Sequence, residues 1–203
     1  MRMLSRKEMI LPISSKTADR RIQRTRQSLR DALLSLLQER GWDDLSVQDI
    51  CECADVGRST FYVHFQNKGE LLAGSLNDLR MMLSKQAAET GHGKAAGALT
   101  FVRGLIEHIQ DQRRLCRSIF GRRSGHVVQM RFREMVAKLV AEDLSQHASA
   151  GWRRDAATHY IAGALVELLA WWVDAKNPRS AEEIDHYFLQ LARPAITELT
   201  EEG

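Results

Sequence analysis

Helical spacing of apolar residues along almost the whole chain is the feature that most restricts the fold. Proline occurs only at positions 12, 178 and 194, so 165 consecutive residues lack this helix-breaking residue. Apolar residues recur at intervals of three and four across most of that stretch, as they do on the buried face of an amphipathic helix. The sequence therefore predicts an all-α fold of about nine helices.

The pattern divides the chain into three regions. Residues 1–16 lack periodicity and predict a flexible basic tail, residues 17–66 predict a small three-helix unit, and residues 67–203 predict a larger helical domain. The first helix is expected to end at Gly41. Glycines and Pro178 divide the last region into segments with helical periodicity near 68–88, 96–111, 113–121, 126–148, 154–176 and 181–200. Ser180, with Glu183 three residues later, predicts a capping box at the start of the last helix.

A second capping box lies in the small unit, where Ser46 is followed three residues later by Asp49. The short helix that begins there is interrupted by Asp55-Val56-Gly57, and another short segment runs from Arg58 to Phe65. Two short helices joined by a tight turn are typical of a helix-turn-helix. The alternative for such a pattern is a plain helical hairpin inside a protein core.

The second short segment separates polar from aromatic side chains. Phe61 and Phe65 lie four residues apart, hence on one face, and are expected to anchor inward against Ile50 and Leu33. The outward candidates are Arg58, Ser59, Thr60, Tyr62, Val63 and His64, and Ser46, Gln48 and Lys68 complete the candidate DNA-binding set. Arginine is suited to a bidentate guanine contact, whereas Tyr62, His64 and Lys68 are suited to phosphates.

Charge is distributed unevenly along the chain. The first 40 residues contain 10 basic and 4 acidic side chains, whereas residues 69–203 contain 17 of each. A basic N-terminal third suits the phosphates of a polyanion. Charge alone, however, favours a solvated and partly disordered tail.

A longer pattern continues from the second short helix: Thr60-Phe61-Tyr62-x-His64-Phe65-x-x-Lys68-x-x-Leu71-Leu72. It resembles the DNA-binding signature of TetR-family transcriptional regulators, and the resemblance covers roughly residues 20–72. It implies that residues 17–66 form a helix-turn-helix DNA-binding domain, with the positions of Thr60, Tyr62, His64 and Lys68 touching DNA. The chain departs from the family pattern at three positions: Asp55 replaces the usual glycine of the turn, Gly57 replaces a Ser or Thr cap, and Val47 lacks a hydroxyl.

The resemblance also implies a function for residues 67–203, as an effector-binding and dimerisation domain. The expected protein is a cytoplasmic homodimer, a repressor released from a near-palindromic double-stranded operator by an unknown small-molecule effector. Its expected dimer interface consists of Leu165, Leu168, Leu169, Trp172, Phe188 and Leu191. Its expected effector pocket consists of Phe101, His108, Phe120, Met130, His159 and Trp171. The alternatives are an all-helical ligand-binding or adaptor protein without DNA binding, and an enzyme that uses an unrecognised pocket.

Other functional classes lack support in the sequence. The longest apolar stretch, from Ile161 to Val173, contains Glu167 and is shorter than the ~20 residues of a membrane span, so no membrane association is expected. Cys51 and Cys53 are two residues apart on a helix and face opposite ways, so no metal site or cofactor is expected. Neither a glycine-rich phosphate loop nor a nucleophile elbow occurs, and no enzyme activity is expected. A cluster of arginines forms either a solvated face or a surface that attracts an acidic effector; its members are at positions 113, 114, 117, 122 and 123.

Overall fold

The computed structural model describes residues 13–90, 98–120, 125–176 and 178–201. Every regular element within these ranges is a helix, which confirms the all-α prediction. The nine helices are α1 (Ile13–Glu39), α2 (Val47–Cys53), α3 (Arg58–His64), α4 (Lys68–Thr90), α5 (Phe101–Asp111), α6 (Arg113–Phe120), α7 (Gly125–Leu144), α8 (Trp152–Asp174) and α9 (Ala181–Glu201). Because α1 begins at Ile13, residues 13–16 are helical and the predicted tail was too long at that end. The rest of that tail, residues 1–12, lies outside the described residues.

Both capping boxes are confirmed. The Asp49 backbone N–H donates to Ser46 Oγ at 3.1 Å, and the Ser46 N–H donates to Asp49 Oδ2 at 2.8 Å. At the start of α9 the Glu183 N–H donates to Ser180 Oγ at 3.2 Å, and the Ser180 N–H donates to Glu183 Oε2 at 2.9 Å. The hydrogen bonds from Ser46 and Ser180 hold the pKa of Asp49 and of Glu183 below the usual carboxyl range. Local sequence therefore fixes where α2 and α9 begin.

Buried apolar side chains form two clusters. The first joins α1, α2, α3 and the start of α4, and it also takes in Leu115 and Ile119 of α6. The second fills the space between the rest of α4 and helices α5 to α9. Leu76 of α4 packs against both clusters, and Ser118 of α6 donates a hydrogen bond to the Leu37 carbonyl of α1. We call the first three helices, which the first cluster unites, the head, and helices α4 to α9 the body.

The burial of α8 and α9 corrects much of the predicted dimer interface. Leu165, Leu169, Trp172 and Phe188 are buried inside the core of a single chain, so they are not available to a second copy. Leu168 is partly buried against the same core, and of the six predicted residues only Leu191 is exposed. The prediction failed because α8 carries apolar residues on more than one side, and periodicity does not tell which side the chain's own helices cover.

By length and composition α8 is apolar enough to cross a membrane. However, its buried residues, from Thr158 to Val173, pack against other helices of the same chain. This burial is typical of the central helix of a folded domain.

Candidate nucleic-acid interface

Helix α3 presents one aromatic face to the core and one polar face to solvent. Phe61 is 0% exposed and Phe65 is buried, and both belong to the cluster that contains Ile50 and Leu33. The two rings lie 5.9 Å apart between centroids. On the other side Val63 is 80% exposed. The remaining predicted outward side chains are also accessible: Arg58, Ser59, Thr60 and Tyr62 are exposed, and His64 is half-buried. The predicted separation of the two faces of α3 is confirmed.

The turn before α3 uses Asp55 in a backbone conformation that most residues avoid. Its φ is 52°, in the left-handed region, where aspartate is tolerated better than most side chains. The Val56 N–H donates to the Cys51 carbonyl at 2.9 Å and closes the end of α2. Aspartate therefore replaces the glycine expected at this position without loss of the tight turn.

The N-terminus of α3 lacks a side-chain cap. Gly57 is the N-cap, in extended conformation, and makes no side-chain hydrogen bond to the free N–H groups of the first turn. Helix α3 begins instead with the Phe61 N–H donating to the Gly57 carbonyl at 3.0 Å. The N-terminal N–H groups of α3 therefore remain without a capping side chain from Gly57.

Two further candidates lie at the start of α2. Ser46 is exposed, but its hydroxyl is engaged as the helix cap. Gln48 is exposed, and its Nε2 donates to Glu52 Oε1 at 2.8 Å. Both side chains are exposed on the surface of the head, and their contact with DNA stays a prediction.

The Lys68 ammonium is hydrogen-bonded within the chain, unlike that of a lysine that is free to bind phosphate. Its Nζ donates to the carbonyl oxygens of Trp42 at 2.7 Å and Leu45 at 2.6 Å, and lies 4.6 Å from the centroid of the Trp42 ring. The ammonium therefore fastens the start of α4 to the loop between α1 and α2. Two of its three N–H groups are used inside the chain, which leaves one for a phosphate.

Lys68→Met is expected to lower the free energy of unfolding of the DNA-free protein by about 2–3 kcal/mol, because two carbonyls lose a charged donor. Urea unfolding measures the change. Lys85→Met is the matched control, since Lys85 is exposed on the same helix and, among the described residues, forms an ion pair with Glu89. Unchanged stability in Lys68→Met would mean that the lysine serves DNA alone.

The six residues predicted for an effector pocket differ in burial. Met130, His159 and Trp171 are exposed on α7 and α8, and their place in a pocket stays a prediction. The other three remain inside or at the edge of the body: Phe101 is buried, His108 is half-buried, and Phe120 stacks edge-on against Phe132 with 5.1 Å between ring centroids. Burial lowers the pKa of His108 below the usual histidine value, which favours its neutral form.

The arginines of α6 serve a structural purpose that the sequence did not indicate. Arg113 Nη2 donates to the carbonyls of Trp172 at 2.9 Å and Val173 at 2.7 Å, and Arg117 Nε donates to the Val173 carbonyl at 3.0 Å. These donors satisfy the free carbonyls at the end of α8. Two members of the predicted arginine cluster are thus engaged as a helix cap, and Arg122 and Arg123 lie outside the described residues.

The cysteines are arranged as expected for separate side chains. Cys51 and Cys116 are buried and Cys53 is exposed. Burial raises the pKa of Cys116 to about 12, so this thiol is inert as a nucleophile at neutral pH. Within the described part of the chain no three His, Cys, Asp or Glu side chains are grouped so as to hold a metal ion.

Comparison with known proteins gives matches along most of the chain. Residues 29–74 match the family profile described as "Bacterial regulatory proteins, tetR family", and residues 98–194 match the profile described as "Transcriptional regulator C-terminal region". An uncharacterized HTH-type transcriptional regulator of Bacillus subtilis (strain 168), YxbF, is 25% identical over 183 residues. That alignment covers 87% of this chain and 46% of YxbF, so the chain spans about half the length of this relative.

Solved structures show the same fold. A TetR transcriptional regulator from Streptococcus agalactiae 2603V superposes with a TM-score of 0.63 at 24% identity, covering 88% of this chain and 99% of that chain. FadR from Thermus thermophilus, a TetR-family transcriptional repressor solved in complex with lauroyl-CoA, superposes with a TM-score of 0.59 at 17% identity. That match covers 84% of this chain and 94% of FadR. The likeness extends over the head and the body together.

Proposed function

This chain belongs to the TetR family of bacterial transcriptional regulators, and we propose that it is a repressor that grips a near-palindromic operator as a homodimer. The observation that carries the proposal is the separation of faces on α3. Its polar side chains face solvent, whereas Phe61 and Phe65 hold the helix rigidly from behind. A short and rigidly held helix with a free polar face is what fits a major groove.

We propose different tasks for the exposed side chains of α3. Arg58, at the first turn, reads a guanine through its forked guanidinium. Ser59 and Val63 contact base edges, where the methyl groups of Val63 suit thymine. Thr60, Tyr62 and His64 donate to phosphates and so fix the position of α3 without reading sequence. These tasks follow from chemistry and from the exposure of each side chain.

Arg58→Ala is expected to weaken binding to the operator by about 10- to 100-fold and to relax the preference at one base position in each half-site. The operator is first obtained by selecting bound duplexes from a random-sequence library with the unaltered protein. Gel shift or fluorescence anisotropy on a synthetic duplex of the selected sequence then measures the loss. Arg114→Ala is the matched control, because Arg114 is an exposed arginine on α6, away from α3.

Two outcomes would contradict these assignments. A loss that is equal on the selected duplex and on unrelated DNA would show that Arg58 binds phosphate and does not read a base. Failure to select any duplex would overturn DNA binding itself and favour the alternative, a helical ligand-binding protein.

For the dimer we propose a face made of the exposed sides of α8 and α9. Tyr160 and Trp171 of α8 and Tyr187 and Leu191 of α9 are all exposed although they are large and apolar or aromatic. Such side chains are enriched where proteins meet. A two-fold axis through this face would pair two heads and so match a near-palindromic operator.

We further propose that the body, helices α4 to α9, takes up a small molecule that lowers operator affinity. FadR, a relative of the same fold, holds lauroyl-CoA in its solved structure. Three contacts form a route from the body to the head. Leu76 of α4 packs against both apolar clusters, and α6 is bonded to α1 through Ser118 and to α8 through Arg113. A ligand acts through this route only to the extent that it favours one arrangement of the two heads over another.

A further inference from the structure

The first part of α1 extends beyond the apolar cluster of the head. Leu29 is the first buried side chain among the described residues, and the matched family profile also begins at residue 29. Residues 13–28 nevertheless continue α1 without interruption. At 1.5 Å per residue these 16 residues form a rod about 24 Å long. We call residues 13–28 the basic extension.

The basic extension carries an excess of positive charge. It contains five basic residues and one acidic residue, a net charge of +4. Arg20, Arg21 and Arg24 are exposed, and no carboxylate within the described residues pairs with them. On a helix these three arginines fall within an arc of about 100°, which begins opposite Leu29. A helical segment with one exposed basic side is suited to an anionic partner.

Contacts at two points of α1 show in which direction the basic extension leaves the head. The Arg26 guanidinium carbon lies 5.1 Å from the centroid of the Phe65 ring, and Phe65 caps the end of α3. Further along α1, the Leu37 carbonyl accepts the hydrogen bond from Ser118 in the body. Helix α1 therefore runs from the end of α3 toward the body, and the basic extension leaves the head in the opposite direction, past α3.

We propose that the basic extension is a second DNA-binding surface, which lays Arg20, Arg21 and Arg24 against backbone phosphates of the duplex that flanks each half-site. The inference rests on the proposed function, since it requires α3 to occupy a major groove. Phosphates of one strand follow one another about every 3.4 Å along the duplex axis, so a rod of about 24 Å laid along that axis spans roughly seven base pairs beyond the bases that α3 reads. These contacts add affinity and salt dependence without sequence preference.

The test compares the full chain with the triple variant R20A/R21A/R24A on two duplexes of the selected operator. One duplex ends at the last specified base pair, and the other has 10 further base pairs on each side. Each lost phosphate contact is expected to reduce the slope of log Kobs against log salt by about 0.9. With two to three contacts per protomer, the slope on the long duplex falls by about 4–5 for a dimer, and affinity near 0.1 M salt falls at least about tenfold.

A matched control removes the same charge elsewhere. R114A/K85A/K138A replaces three exposed basic residues on the body. On the long duplex this variant is expected to keep both the salt slope and the affinity of the unaltered chain. The short duplex should bind both triple variants alike, because it lacks the flanking phosphates. The inference is overturned if the two triple variants share one slope on the long duplex, or if R20A/R21A/R24A loses as much on the short duplex. Binding by α3 persists in either case, so that failure is distinct from a failure to bind any duplex.

Discussion

Phe61→Ala is expected to lower the free energy of unfolding by about 3–5 kcal/mol and to abolish operator binding. The ring is 0% exposed and lies at the centre of the head, where it contacts Phe65 on one side and Tyr62 edge-on at 5.4 Å. Removing it leaves a cavity that a helix of seven residues cannot close, because α3 has no other fully buried side chain. Helix α3 is also too short to be stable without tertiary contacts.

The measurement is urea unfolding followed by circular dichroism, together with anisotropy on the selected operator. Val63→Ala is the matched control, because Val63 is on the same helix and is 80% exposed. It should change stability by less than about 0.5 kcal/mol. A Phe61→Ala protein that unfolds at the original urea concentration and still binds the operator would show that the aromatic clamp behind α3 does not hold the recognition surface.

Local sequence was enough to predict the main features of the head and the start of α9. The caps at Ser46 and Ser180, the turn at Asp55 and the aromatic face of α3 each depend on residues within four positions of one another, and each agrees with the structure. Short-range backbone chemistry acts in the same way in any surrounding fold. Consistency at this level explains why the nine helices seen in the described part of the chain could be placed to within about five residues of their observed ends.

Contacts between distant parts of the chain could not be predicted. Lys68 meets carbonyls 23 and 26 residues away, and Arg113 meets carbonyls about 60 residues away. Lys68 was assigned to phosphates and the arginine cluster to a solvated face or an acidic effector, because sequence shows the charge of a side chain and hides which free carbonyls lie near it. The same limit affected α8, where apolar residues on two sides did not show which side faces the chain's own core.

Substitutions of the two adjacent tryptophans of α8 are expected to have different effects, one on the stability of the fold and the other on dimerisation. Trp172 is 1% exposed, its Nε1 donates to the Arg179 carbonyl at 2.8 Å, and the Arg113 guanidinium carbon lies 5.6 Å from its ring centroid. Trp172→Ala should therefore lower the free energy of unfolding by about 3–5 kcal/mol. Trp171 is 61% exposed, and Trp171→Glu should leave each chain folded but separate the dimer.

A dimer with two-fold symmetry carries each substitution twice, so an interface residue worth about 2 kcal/mol or more changes the dissociation constant about a thousandfold. Light scattering at several concentrations should give the mass of one chain for Trp171→Glu and of two chains for the unaltered protein. The urea midpoint of Trp171→Glu should also become independent of protein concentration, because folding is then no longer linked to association. A folded dimer in Trp171→Glu, or full stability in Trp172→Ala, would mean that the two sides of α8 have been assigned the wrong way round.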